Sequence, residues 1–148
     1  MATQAITLTI QDSGVIDALS RAQTALTRLA AVHGAVGAVL EKRQHIRFDL
    51  KESPSGQSWK AWSPSTAAAR AKEGRGTLLE YTGQLRDSLS YTANNSEAVI
   101  GFTVPYAEAV DKIRPLLFEG ADISQPDADA VIAAALTSLR QQIPSSYY

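Results

Sequence analysis

Residues 15–47 read VIDALSRAQTALTRLAAVHGAVGAVLEKRQHIR. In this stretch apolar or small residues recur at alternating steps of four and three, which is the spacing of one face of an α-helix. The positions on this face are Val15, Leu19, Ala22, Leu26, Leu29, His33, Val36 and Leu40. The pattern predicts one long amphipathic helix that ends near Arg47. At 1.5 Å per residue such a helix is roughly 50 Å long, which exceeds what a compact domain of this size covers, so part of it should contact another chain.

A row of small residues runs along the same helix and includes Gly34 and Gly37. Each glycine inside a helix costs about 1 kcal/mol relative to alanine. That cost indicates either the close approach of a neighbouring backbone or a bend. Gly34 and Gly37 are therefore candidate interface residues.

The flanking segments alternate between short helices and strands. Residues 3–10 alternate polar and apolar side chains, which predicts a half-buried strand. Residues 51–66 hold two prolines, one glycine and five serines, which is typical of a surface loop, and Ser63–Pro64 at its end favours a helix start. A helical turn is expected around GQLRDSL, residues 83–89.

The second half of the chain has a hairpin pattern followed by helix signals. Leu89 to Val104 predicts a β-hairpin that turns at Asn94–Asn95. Pro105 opens a short helix, and residues 114–118 are expected to form a strand or an extended edge. Ser124 then caps a last helix, whose predicted apolar stripe is Val131, Ile132, Ala135, Leu136, Leu139 and Ile143.

Composition limits the class of protein. The chain has 148 residues, 45% of them apolar and 20% charged, close to the average for a globular domain. We expect one domain over residues 1–148, with 142–148 as a tail that can be flexible. No apolar run approaches the roughly 20 residues needed to cross a bilayer, and the N-terminus lacks the pattern of a signal peptide. The protein is therefore expected to avoid membranes and to stay in the compartment where it is made.

Charge is unevenly distributed along the chain. Residues 42–75 carry eight basic and three acidic side chains, a net +5, whereas residues 105–129 carry two basic and six acidic ones, a net −4. Either these are two solvated faces, or copies of the chain meet basic end to acidic end. On the second interpretation the candidate interface residues are Lys42, Arg43, Arg47, Arg70, Lys72, Arg75, Glu108, Asp111, Glu119 and Asp122.

Catalytic and metal-binding patterns were sought and not found in the sequence. The chain has no cysteine, which excludes disulfides and thiol catalysis. No carboxylate lies at a metal-ligand spacing from His33 or His45, and Ser55 and Ser58 lack the surroundings of a nucleophile elbow. We therefore predict a protein that is not an enzyme and that uses no cofactor and no metal.

Trp59 and Trp62 are unusual residues for a polar loop. Large aromatic side chains of this kind are expected to be buried, either against their own domain or in a partner. The sequence leaves both possibilities open, and both tryptophans are candidate interface residues.

Four segments in order carry a resemblance to a known family. They are SPSGQSWKAWSPSTAAARAK (53–72), TLLEYTGQLRDSLSYT (77–92), AVIGFTVPYAEAV (98–110) and RPLLF (114–118), followed by a terminal amphipathic helix. This series resembles the phage virion morphogenesis or tail-completion family over residues 46–142. The residues that match the family pattern are Trp59, Trp62, Ser65, Thr66, Leu79, Thr82, Gly83, Leu85, Gly101, Pro105, Tyr106, Ala107, Arg114 and Pro115.

The resemblance implies both a fold and a role. The fold would be α+β, with a small antiparallel sheet packed against a long N-terminal helix and a C-terminal helix. The role would be structural, in a homo-oligomeric ring, expected to be hexameric, that completes the tail and joins it to the head. Partners would be neck or connector proteins and tail tube or tail terminator proteins, with contact to packaged DNA as a further option, in the virion and, during assembly, in the host cytoplasm.

One segment departs from the family pattern, and one other function stays open. Residues 108–113 connect the tyrosine–alanine turn to Arg114 directly, where family members commonly have a longer, glycine-containing loop. The alternative function is a nucleic-acid-binding module that uses the basic stretch 42–75.

Overall fold

The computed structural model describes residues 13–74, 76–80, 82–119 and 122–143. The strand expected over residues 3–10 lies outside these ranges. The helices and strands are α1 (Ser13–Thr27), α2 (Ala30–Leu50), α3 (Pro64–Glu73), α4 (Gln84–Asp87), β1 (Leu89–Ala93), β2 (Ala98–Phe102), α5 (Ala107–Asp111) and α6 (Gln125–Gln142). The fold class is α+β, as the sequence predicted.

The expected long helix is two helices. α1 ends at Thr27 and α2 begins at Ala30, so the chain leaves helical geometry at Arg28 and Leu29. The prediction of one continuous helix was wrong at this point, because periodicity reports which face is apolar and not whether the axis continues. α2 nevertheless reaches Leu50, slightly beyond the predicted end.

α2 is the central element of the described chain. The hairpin β1–β2 packs against α2, and α6 packs along α2 rather than along the sheet. The strands pair antiparallel, with Leu89 opposite Phe102 and Ala93 opposite Ala98. In the turn, the Asn94 side chain accepts hydrogen bonds from the next backbone N–H groups, at 2.7 and 2.9 Å, which is why asparagine favours this position.

Local capping signals explain two helix starts. The Ser63 hydroxyl accepts a hydrogen bond from the N–H of Thr66 at 3.3 Å, and Ser124 does the same for Asp127 at 3.4 Å. Both serines have extended backbone and are followed within two residues by a proline, an arrangement that starts a helix efficiently.

The hydrophobic core lies between the end of α2 and the loops that follow it. Its buried members are Phe48, Trp59, Leu85, Ala107 and Leu116. Residues 114–118 contribute Leu116 to this core as irregular chain, so the expected strand there is not formed.

The apolar stripe expected on α6 is rotated from its predicted position. Ile132 and Leu136 are 56% and 46% exposed, whereas Asp127 and Ser138 are buried. Asp127 turns inward because two arginines of α2 bind it, and that contact decides which side of α6 faces α2.

Candidate interaction site

The tryptophan loop is anchored to the core through Trp59. This side chain is only 5% exposed, and its ring packs edge-on against Phe48 with 5.4 Å between centroids. Its Nε1 donates a hydrogen bond of 2.8 Å to the carbonyl of Pro115. Trp59 thus packs within its own domain. The possibility that it inserts into a partner is corrected, because the groups that satisfy it belong to the same chain.

Arg114 fixes the next part of the loop. Its Nε donates a hydrogen bond of 2.7 Å to the carbonyl of Lys60, and its Nη2 reaches the carbonyl of Ala61 at 3.4 Å. The arginine–proline pair at 114–115 therefore holds the backbone of residues 59–61 from the side. Sequence reasoning noted both motifs without finding this contact, since nothing local links residues more than 50 positions apart.

Trp62 emerges from this fixed loop onto the surface. It is half-buried and forms one wall of an open groove of about 380 Å³, which we call the Trp62 groove. The residues that line the groove are Trp62, Arg70, Thr77, Leu79, Thr82, Gly83, Gln84, Leu85, Tyr106 and Val110. Six of these ten positions match the family pattern, so motifs that are far apart in sequence converge on one surface.

The groove is lined by both apolar and polar side chains. Leucine, valine and aromatic residues line it together with threonine, glutamine and Arg70. Arg70 pairs with Glu73 at 3.1 Å. Gly83, with a φ of 77°, lets the chain turn into α4 so that Leu85 faces the core. Protein–protein contacts combine apolar and polar side chains in this way.

The two candidate glycines of α2 have different surroundings. A Cβ on Gly37 would lie 2.2 Å from Cδ2 of Tyr91, whereas a Cβ on Gly34 would meet nothing within 4 Å. The close approach inferred for Gly37 is therefore made by the side chain of β1 in the same chain. Gly37 therefore packs against Tyr91 within the chain, and Gly34 is a half-buried position near the surface.

Part of the charge asymmetry is neutralised inside one copy. Asp127 is 1% exposed and binds Arg47 through both carboxylate oxygens at 2.6 Å, and it binds Nε of Arg43 at 2.5 Å. Burial raises the pKa of Asp127, but the hydrogen bonds from Arg47 and Arg43 outweigh it and lower the pKa overall. The basic and acidic stretches thus meet here within the chain. Arg43 and Arg47 therefore make intramolecular contacts.

A second ion network joins α2 to the segment before α4. Glu80 binds Lys51 and Arg86, and Arg86 also binds Asp49 at 2.8 Å. Burial raises the pKa of Glu80, but hydrogen bonds from Lys51, Arg86 and Thr77 lower it to about 2. Lys51 also belongs to the stretch 42–75, so this network neutralises a further positive charge of that stretch. Within this stretch, Arg43, Arg47 and Lys51 are thus paired with carboxylates of the same chain.

The other charged candidates lie at the surface. Lys42 and Lys72 are exposed, and Arg75 lies outside the described residues. Among the acidic candidates, Glu108 pairs with Lys112 at 3.0 Å, and Asp111 accepts the N–H of Leu116 at 2.8 Å. Hydrogen bonds from Ser55 and Ser53 lower the pKa of Glu119. Asp122 is exposed.

α1 is a second candidate contact surface. Its large apolar side chains Val15, Ile16, Leu19 and Leu26 are 53–65% exposed. The charged side chains Asp17 and Arg21 lie on the other side of the same helix, since they are offset by about half a turn. An apolar stripe of this size on an exposed helix is typical of a surface that another protein covers.

Metal and membrane sites were sought in the described part of the chain. Within residues 13–74, 76–80, 82–119 and 122–143 no three histidine or carboxylate side chains come together as a metal site would require. Across the same residues no helix combines the length and the apolar character that crossing a membrane demands.

Comparison with known proteins identifies the family of the chain. The model of the phage virion morphogenesis family matches residues 10–110, more than half of the chain. Searches of curated proteins and of solved structures gave no significant match. The chain belongs to the phage virion morphogenesis family, and its role is in the assembly of the phage particle.

Proposed function

We propose that this protein completes the phage tail and joins it to the filled head, as a subunit of a homo-oligomeric ring at the neck. The observation that carries the proposal is the Trp62 groove. Three separated family segments contribute to it, while the hydrogen bonds of Trp59 and Arg114 hold its wall in place. An open groove lined by apolar and polar side chains is suited to receive a side chain of a neighbouring virion protein.

The ring rests on two further observations. The exposed apolar side of α1 and the Trp62 groove are different surfaces of one molecule. If α1 of one copy packs against the groove of the next, the contacts between copies are heterologous. Heterologous contacts close into a ring when the rotation between copies allows it. A sixfold ring would fit the resemblance noted from the sequence, and its partners would be the connector on the head side and the tube or terminator on the tail side.

Complementation in infected cells tests the function directly. A phage that lacks its own copy of the gene is supplied with the Trp62→Ala protein or, as a matched control, with Val99→Ala, which alters an exposed apolar side chain outside the groove. We expect Trp62→Ala to yield separate DNA-filled heads and unattached tails by electron microscopy, and Val99→Ala to yield joined particles.

The same experiment can overturn the proposal. Normal infectious particles from a well-folded Trp62→Ala protein would remove the groove from the joining step. Joined particles with a defect in DNA copying would instead favour the nucleic-acid-binding function.

A further inference from the structure

The residues around the break between α1 and α2 include none of the helix breakers that usually interrupt a helix. Residues 20–33 read SRAQTALTRLAAVH, which contains no glycine or proline. The apolar periodicity also continues through the break, from Leu26 to Leu29 and His33. Helices bend sharply at proline, at glycine or serine pairs, or where a polar group enters the backbone ladder. The sequence by itself therefore favours one continuous helix across Arg28.

A polar group from the hairpin turn enters the ladder at this point. The Oδ1 of Asn95 accepts a hydrogen bond of 3.0 Å from the N–H of Ala30, which in a continuous helix would bond to the carbonyl of Leu26. The Nδ1 of His33 lies 2.6 Å from the carbonyl of Asn94. Because a carbonyl only accepts, this nitrogen carries the proton. Two adjacent turn residues thus form hydrogen bonds with the first turn of α2.

In the interrupted arrangement, α1 is not well buried. Ala25 is 5% exposed, whereas Leu19 and Leu26 are 65% and 62% exposed. A helix that buries alanine and exposes leucine has not found the packing that removes most apolar surface from water. In a straight helix, Leu19 and Leu26 would continue the stripe on which His33 contacts the hairpin, and would extend it beyond the turn.

From these contacts we infer that the turn at Asn94–Asn95 keeps α1 and α2 apart as two helices through its hydrogen bonds to Ala30 and His33, which we call the latch. Loss of these hydrogen bonds lets α1 and α2 join into one straight helix. Release would carry the apolar stripe of α1 past the hairpin, where a neighbouring molecule could cover it. The inference concerns the purified chain and does not depend on the proposed role in head–tail joining.

A distance between spin labels tests the latch. The chain has no cysteine, so Ser20→Cys and Lys42→Cys, both exposed, can be labelled selectively. In a straight helix their Cα atoms would be roughly 33 Å apart, since 22 residues separate them at 1.5 Å each. We expect a shorter distance in the labelled parent, and a new narrow peak near that length when Asn95→Ala and His33→Leu remove the latch. Ser96→Ala, in the same turn, is the matched control and should leave the distance unchanged.

A second variant separates straightening from simple loosening. Leu29 has a φ of −79°, which proline tolerates, but proline here would block a continuous helix. Adding Leu29→Pro to the latch-free protein should therefore abolish the long peak. A broad distribution, or an unchanged short distance, in a latch-free protein that still melts cooperatively would overturn the inference. An unchanged distance would assign the bend to α1 itself, where the hydroxyl of Thr27 bonds the carbonyl of Thr24 at 2.8 Å.

Discussion

The indole Nε1 of Trp59 donates a 2.8 Å hydrogen bond to the carbonyl of Pro115, and so ties the tryptophan loop to a segment 56 residues later in the chain. Trp62, three positions along the same loop, is instead half-buried at the surface groove. Two tryptophans that look equivalent in the sequence therefore have different tasks, one in stability and one at the surface.

This division predicts unequal effects of the same substitution. Trp59→Ala should lower the free energy of unfolding by about 3–5 kcal/mol, because it empties a core position and leaves the Pro115 carbonyl without its donor. Trp62→Ala should cost clearly less, since the side chain is only partly buried. Urea unfolding followed by circular dichroism measures both, and equal losses would contradict the assignment.

The two glycines of α2 offer a matched pair. Gly37→Ala should destabilise the fold by about 1–3 kcal/mol, because its Cβ would overlap the ring of Tyr91. Gly34→Ala meets open space and should stabilise α2 by up to about 1 kcal/mol through helix propensity. Thermal melts of the two variants should therefore shift in opposite directions, and a shift of the same sign would show that Tyr91 does not occupy this position.

The buried carboxylate of Asp127 should be essential to the packing of α6 on α2. Asp127→Asn removes the charge that compensates Arg47, which is 8% exposed, and should cost about 3–5 kcal/mol. Asp129→Asn, two positions away and exposed, should change the free energy of unfolding by no more than about 0.5 kcal/mol. Denaturant titration of the pair at neutral pH checks this, and similar losses in both would argue against the buried ion cluster.

Glu80 predicts a particular loss of stability in acid. Its pKa in the folded state, about 2, lies below the ordinary value of 4.5, so its contribution is fully present above about pH 4.5. That contribution is lost as the pH falls from there toward 2. Glu80→Gln should be less stable than the parent at pH 7, and the difference should shrink over this window. The control is Glu97→Gln, which alters an exposed carboxylate outside the network; a gap that does not vary with pH would refute the prediction.

Several local features could be predicted from sequence because their causes lie within a few residues. Ser63 and Ser124 each cap a helix three positions ahead, and Asn94 shapes its own turn. The order of the four motifs was likewise sufficient to indicate the family, since it requires no knowledge of contacts.

Other features were decided only in three dimensions. The break before Ala30 depends on Asn95, the environment of Trp59 on Pro115, and the inward side of α6 on Arg47 binding Asp127. Each partner lies more than 50 residues away in the sequence. Each contact therefore decides a feature that the neighbouring residues in the sequence leave open. The sequence by itself thus determined the starts of α3 and α6, the fold class and the family, because backbone preference and capping act over one helical turn. The tertiary structure decided which side chains became core, latch or groove, because burial and hydrogen bonding depend on what the folded chain brings alongside them.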